Sequence, residues 1–298
     1  MATPPKQRRE KSNTYTVQDR ASQEELDRLL IHDRIFTTAL GGILPEQANP
    51  ARFQSLLDVG CGPGGWLLEA AEAYPTMMQL CGVDISEKML SFASARASAA
   101  HLDERVEFRV MDALRPLDFP DGSFDLLNQR FATSWLRIWE WPRLLQEYQR
   151  VTRPGGVIRI TEFNLCNESS SPALVQLGNL AIDAFYQSGH LSVPQSDGLT
   201  KELPRLLSQY GLLNVQTRPY LIEYRAGTPA GNDFYEDWRR LFRNIEPFLR
   251  KWTHMPENYD EIYQQMLQEM RQPDFFAISR PLTAWGTRSP AYKEPAPR

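Results

Sequence analysis

The sequence has few of the residues that staple a small fold or build a metal centre. Of its 298 residues, three are cysteine and four are histidine. Cys61, Cys81 and Cys166 are odd in number and far apart, which argues against a disulfide framework or a zinc site. They read as reduced, buried thiols. Apolar runs are short, and none approaches the ~20 residues of a membrane-crossing helix. Met1 to Asn13 is polar and basic, without the apolar stretch of a secretory signal. The expected compartment is therefore the cytoplasm. Neither charge dominates: the formal net charge is -4. No broad basic surface follows, so nucleic acid is not the expected partner.

What is present is ordinary globular material with a regular rhythm. Hydrophobic residues make up 42% of the chain, enough for a full core at this length. Residues 1–13 and the Pro-rich 289–298 read as tails. Leu26, Leu29, Leu30, Ile35 and Leu40 keep helical spacing until Gly41-Gly42 stops it. From Phe53 to Phe163 short apolar runs alternate with helical segments. Strands are expected over 56–59, 80–84, 106–110, 124–129 and 157–163, and helices over 66–74, 86–100 and 142–151. Pro154-Gly155-Gly156 reads as a turn. Strands separated by helices form a parallel sheet with right-handed crossovers. Further on, helices are expected at 172–189 and 200–210 and a strand at 213–224. A helical stretch from Phe234 to Met270 breaks near Pro256. A last strand is expected over 275–287, with Pro281 demoting its middle.

The chemistry gathers where the first strand ends. Gly60, Gly62 and Gly65 fit G-x-G-x-x-G after a strand and before a helix. Such glycines let the chain turn sharply and a ligand lie against bare amides. Dinucleotide sites use the same pattern, so three acids decide the ligand. Asp58 precedes the loop, where it would repel a pyrophosphate and attract an ammonium. Asp84 ends the second strand, where an acid can accept both ribose hydroxyls. Asp112 follows the third strand, where an acid can accept from an adenine amino group. An ammonium, a ribose and an adenine meet in S-adenosylmethionine, which carries a sulfonium as well.

The segments LLDVGCGPGGW (56–66), CGVDIS (81–86), VMDALRPLDFPDGSFDLLNQRF (110–131) and EYQRVTRPGGVIRI (147–160) carry a family resemblance. The chain resembles the class I S-adenosylmethionine-dependent methyltransferases, most of all the small-molecule enzymes related to ubiquinone and menaquinone biosynthesis. The resemblance covers Phe53 to Phe163. It implies an α/β, Rossmann-like, doubly wound fold with a seven-stranded, mostly parallel sheet whose last strand is antiparallel. An N-terminal helical cap (14–46) would precede the core (47–231). A C-terminal helical insertion (232–272) and a last strand (273–288) would follow.

The same resemblance implies roles for residues. The main chain of Gly60, Cys61 and Gly62 would back the methionine part. Asp84 would bind the ribose, Ile85 would pack on the adenine, and Asp112 and Ala113 would read its edge. Asn128 would lie beside the sulfonium. Tyr15, Arg28 and His32 would be contacts from the cap, with Arg28 a partner for the methionine carboxylate. Arg130 and Trp135 lie nearest the expected methyl, as acceptor contacts. His190, at the end of a helix over the site, is the candidate base. The expected partner is a small apolar or aromatic acceptor, the expected product S-adenosylhomocysteine, and no metal is called for. A homodimer is allowed but not required. No Asn-Pro-Pro-Tyr-type tetrapeptide follows the fourth strand, which disfavours methylation of nucleic-acid bases. Two alternatives stand: a protein that binds S-adenosylmethionine for a non-transfer or regulatory role, and an RNA-directed methyltransferase.

Overall fold

A computed structural model describes residues 15–17, 22–164, 168–194 and 198–290. The tail expected at 1–13, most of the tail at 289–298, and Cys166 lie outside the described residues. The first half of the chain runs α1 (Gln23–Ala39), β1 (Ser55–Val59), α2 (Gly65–Ala73), β2 (Gln79–Asp84), α3 (Glu87–Ala99), β3 (Val106–Val110), β4 (Phe124–Arg130), α4 (Trp141–Val151) and β5 (Thr152–Glu162). The second half runs β6 (Glu168–Ser169), α5 (Pro172–Gln187), α6 (Leu203–Gln209), β7 (Leu212–Pro219), β8 (Ile222–Arg225), α7 (Pro229–Asn244), α8 (Glu246–Trp252), α9 (Tyr259–Glu269), β9 (Phe276–Ser279) and β10 (Leu282–Arg288).

Seven strands form one sheet in the order β3-β2-β1-β4-β5-β10-β7. β1 to β5 pair in parallel, and β10 runs antiparallel between β5 and β7. This is the doubly wound sheet with a reversed last strand that the resemblance implied. Every residue of β1 is buried, and so is all of β4 but Arg130, because helices cover both faces. Leu57 and Leu127 belong to one apolar cluster and Leu56 and Leu126 to the other, as the two-residue period of a strand requires. The chain winds outward from β1 to β3 and then returns to β4 on the other side of β1. The carboxyl ends of β1 and β4 thus frame the crevice where open α/β sheets bind ligands.

Local chemistry sets the helix starts. Ser22, Ser86, Ser171 and Thr228 each accept a backbone N–H in the first turn of α1, α3, α5 and α7. Pro172 and Pro229 occupy the first turn, where no donor is lost.

Three expectations are corrected. Pro154-Gly155-Gly156 is not a turn between elements but a bulge inside β5. The register against β4 jumps there from Phe124↔Thr152 to Leu126↔Val157, and Gly155 takes φ +75° to allow it. The stretch 213–224 is two strands, β7 and β8, and 275–287 is likewise β9 and β10. Both breaks fall beside prolines, Pro219 and Pro281. Proline cannot donate to a ladder, and the crossing is held by Tyr220 N–H to the Pro281 carbonyl at 2.9 Å. Beyond it, β8 and β9 join β6 in a separate sheet of order β6-β9-β8. The helical stretch expected over 234–270 is three helices, and the first already starts at Pro229.

These helices build a lobe with its own apolar core. Phe36 of α1, Leu177 of α5, Trp238 and Phe242 of α7 and Met266 of α9 pack in one cluster. α1 lies along α7, and their contact is ionic as well as apolar. Glu25, Arg28 and His32 share one face of α1. Arg28 donates from Nε and Nη2 to Glu25 at 2.9 and 2.7 Å, and from Nη1 to Asp237 of α7 at 3.0 Å. Asn244 and the Tyr15 hydroxyl each donate to Glu25 at 2.9 Å. His32 Nδ1 lies 2.8 Å from Asp237. Glu25, Asp237 and Arg28 are 0%, 3% and 5% exposed. Burial pushes both carboxyls upward. For Glu25 the charge and hydrogen bonds of Arg28 outweigh it, and for Asp237 those of His32 and then Arg28. Both therefore sit below the usual carboxylate range.

Removing Arg28 leaves the buried Glu25 carboxylate without a charged partner and Asp237 with His32 alone. Arg28→Ala is expected to destabilise the fold by about 3–5 kcal/mol, as breaking one side of a buried ion pair does. Urea unfolding of the two proteins checks this. A change within about 1 kcal/mol would show that the cluster does not hold α1 on α7.

Candidate active site

A cavity opens at the carboxyl ends of β1, β2 and β3 and is roofed by α1 and α7. Asp58, Asp84 and Asp112, from three successive strand ends, all line it. Asp84 accepts Gly62 N–H at 3.0 Å on one oxygen and Ser86 N–H at 2.9 Å on the other. Those bonds fix the carboxylate plane, and a carboxylate has about four acceptor sites in all. Asp112 accepts Leu114 N–H at 3.0 Å, with Arg115 at 3.4 Å. Ile85 lines the cavity with 43% of its surface exposed, and Ala113 lies beside Asp112 on the wall.

The glycine loop differs from expectation in one respect. Its amides are not bare. Gly60 and Cys61 donate to the Val83 carbonyl at 2.8 and 3.1 Å, and Gly62 donates to Asp84. The end of β2 consumes these donors. What the loop offers is clearance. Gly60 takes φ +70°, and a Cβ there would touch the Trp135 indole at 3.4 Å. A Cβ on Gly65 would fall on the Asp33 carboxylate. Asp33 thus stands at the amino end of α2, paired with Arg130. A phosphate would find the amides of Gly60, Cys61 and Gly62 taken and the carboxylates of Asp33 and Asp58 beside the loop. A cationic ligand fits the same surface.

Asp58 is 4% exposed and accepts from Asn128 Nδ2 at 2.8 Å. Burial pushes its carboxyl up to about 7, against the pull of Arg130 and of the Asn128 hydrogen bond. Asn128, expected beside the sulfonium, stands behind Asp58. It is 0% exposed, off the cavity wall, and its Oδ1 accepts from Arg159 at 2.7 Å. The reason is that β4 continues to Arg130, so the strand end facing the cavity is Arg130-Phe131. Arg159 is held in turn by Glu46 at 2.8 Å. Asn128 therefore positions Asp58 from behind.

His190, the expected base, lies away from the cavity as well. It is 2% exposed and not on the cavity wall. Its ring lies 2.7 Å from Ser188 Oγ and edge-on to Phe185 and Phe248. The chain leaves α5 through Gly189 at φ +84°. It then turns back so that His190 N–H reaches the Phe185 carbonyl at 2.8 Å. The histidine that lines the cavity is His32. Tyr15, Arg28, Cys61, Arg130 and Trp135 line it too. Burial pushes the Cys61 thiol well up and that of Cys81 to about 12, which keeps both uncharged.

Three site residues escaped the sequence reading. Asp33 and Asp237 are acids on helices read only for their apolar stripes. Their signal was position: Asp237 falls between Phe234 and Leu241 on the apolar face of α7, and Asp33 one residue from His32 on α1. Glu162 escaped as well. It accepts from Ala132 N–H at 2.7 Å and from Thr133 Oγ1 at 2.9 Å. It thereby holds the turn that presents Phe131, at φ +59°, to the cavity.

Residues 56–156 match the family model described as a methyltransferase domain. The chain is similar to the 27-O-demethylrifamycin SV methyltransferase of Amycolatopsis mediterranei, 37% identical over 179 residues, covering 58% of this chain and 62% of that protein. It is similar to the demethylmenaquinone methyltransferase of Bacillus licheniformis, 28% identical over 189 residues, covering 58% of this chain and 76% of that one. Its fold resembles Haemonchus contortus phosphoethanolamine N-methyltransferase 2, solved with phosphomonomethylethanolamine and S-adenosylhomocysteine. There the TM-score is 0.53 at 21% identity, over 90% of this chain and 58% of that one. The chain thus spans less than two thirds of the rifamycin and Haemonchus proteins. The matched segment is similar to a methyltransferase domain, and the sheet order gives the chain the fold that such domains share.

A cationic ligand at Asp58 must displace a proton whenever that carboxyl is protonated. With the carboxyl at about 7, affinity for S-adenosylmethionine is expected to fall about tenfold per pH unit below the midpoint and to level off above it. Asp58→Asn is expected to flatten this dependence. Calorimetry between about pH 5.5 and about pH 7.5 reads both, and a pH-independent affinity in the native chain would contradict the contact.

Proposed function

We propose that this protein transfers a methyl group from S-adenosylmethionine to a small apolar or aromatic acceptor. One observation carries the reading. Three carboxylates stand at successive strand ends on one wall of a cavity whose other wall is the apolar lobe of Phe163, Phe185, Trp238 and Phe242. When bound, S-adenosylmethionine supplies a methyl carbon already activated by sulfonium charge. The chain's part is to align and to exclude water.

Asp84 holds the ribose diol, Ile85 covers one face of the adenine, and Asp112 and Ala113 meet its edge. Asp58 faces the ammonium. Arg28 is committed to Glu25 and Asp237; Arg130 is held by Asp33 and Thr37 through one nitrogen each, and its remaining guanidinium N–H groups serve the methionine carboxylate. Trp135, lying on Gly60, and Phe131 close the space around the methyl. The roof of α1 and α7 keeps water out. Two of the similar proteins are named for demethylmenaquinone and for a demethylated rifamycin, which supports a small-molecule acceptor. The chemistry itself requires no metal.

Asp84→Ala is expected to cost about 100-fold or more in affinity for S-adenosylmethionine, the worth of two hydrogen bonds to a charged group. Circular dichroism should show the fold retained. Calorimetry measures the loss, and unchanged affinity would overturn the ribose assignment.

A further inference from the structure

His32 faces the cavity with one nitrogen and a buried carboxylate with the other. Its Nδ1 lies 2.8 Å from Asp237, whose side chain is 4% accessible, while His32 keeps 16%. Asp237 is ionised, so it accepts from Nδ1–H and leaves Nε2 as the lone-pair nitrogen of the neutral ring. Among the described residues nothing hydrogen-bonds Nε2, and it is not among the buried unpaired atoms. It therefore opens to the cavity that the ring lines.

Its position is fixed on three sides. Leu29, one turn earlier on α1, reaches Gly62, and Asp33, the next residue, abuts Gly65. His32 consequently flanks the glycine loop. Its ring stands edge-on to Phe131 at 4.9 Å and to Phe163 at 6.0 Å between centroids. The charged and titratable groups around it are Glu25, Arg28 and Asp33 on its own helix, Asp237 from α7, Arg130 from β4, and Tyr15.

We infer that His32 is the general base of the transfer, that Asp237 positions it, and that the acceptor is an aromatic hydroxyl lodged in the cavity against the rings of His32, Phe131 and Phe163. This rests on the methyl-transfer reading above. The acceptor oxygen bonds the methyl carbon as the carbon–sulfur bond breaks, and sulfur keeps that electron pair. The hydroxyl proton passes to His32 Nε2 and from the imidazolium to water once product leaves. Asp237 holds the ring in the tautomer that can accept and stabilises the cation that forms.

Two probes test it on the full chain. 4-Nitrophenol, added without cofactor slightly below its own pKa, should show the yellow phenolate band with the native protein and not with His32→Gln. 2-Naphthol, with methyl-labelled S-adenosylmethionine, should yield labelled ether. His32→Gln should lower the rate about 100-fold or more, and Asp237→Asn about tenfold, both recovering toward about pH 9 as naphthol ionises unaided. Affinity for S-adenosylmethionine should stay within about twofold in His32→Gln. No phenolate band, no label in naphthol while S-adenosylmethionine still binds, or equal rates in native and His32→Gln proteins would each overturn the assignment. Loss of S-adenosylmethionine binding in the native chain would instead overturn the methyl-transfer reading. A rate loss in Asp237→Asn that does not recover at high pH would make Asp237 structural rather than positioning.

Discussion

Arg28, clamped between Glu25 and Asp237, ties the two helices that roof the cavity. An apolar contact between α1 and α7 would tolerate sliding by a turn. A guanidinium with two carboxylate partners, plus Asn244 on Glu25 and His32 on Asp237, does not. Such clusters add little net stability over apolar packing, and their value lies in fixing register. Here the register decides what faces the cavity. With α1 held in place, Leu29 and Asp33 meet the glycine loop and His32 points between them into the space beyond it. The roof also joins residues far apart in sequence, so the cavity is complete only when the whole chain has folded.

Charge is distributed unevenly around that cavity. The sheet side presents Asp58, Asp84 and Asp112, while the lobe side is mainly aromatic. The loop amides that would have served a phosphate are spent on Val83 and Asp84, and the amino end of α2 meets Asp33. A cation with a sugar and a purine is matched at one end, and an apolar molecule at the other. Asp58, raised to about 7 by burial and kept in place by Asn128, is the most adjustable of these groups. Its charge responds to whatever positive group arrives.

The sheet was legible because its signals are local. An apolar run ending in Gly60-Cys61-Gly62, a strand ending in Asp84 and a third followed by Asp112 each carry their meaning within a few residues. The lobe was legible only as helices. Asp237 meets Arg28 and His32 across some two hundred residues of sequence, and nothing in either segment alone says so. His190 and Asn128 lie off the cavity wall for a related reason. Sequence placed both near a strand or helix end, but the bend at Gly189 and the one further residue of β4, Arg130, aim them away from the cavity. Pro281 was read as a weakness in the middle of the last strand, and Pro219 was not read at all; the two form a pair. They mark the line where the chain passes from the large sheet to the small one, and so the place from which the insertion that carries α7 grows.

The most direct measurement is a crystal structure of the full chain with S-adenosylhomocysteine. The account predicts the adenine edge at Asp112 and Ala113, the ribose hydroxyls on Asp84, and the amino group toward Asp58. It also predicts the sulfur facing His32 across a gap wide enough for one hydroxyl oxygen. A ligand seated with its adenine in the aromatic lobe, or with its sulfur turned away from His32, would contradict it.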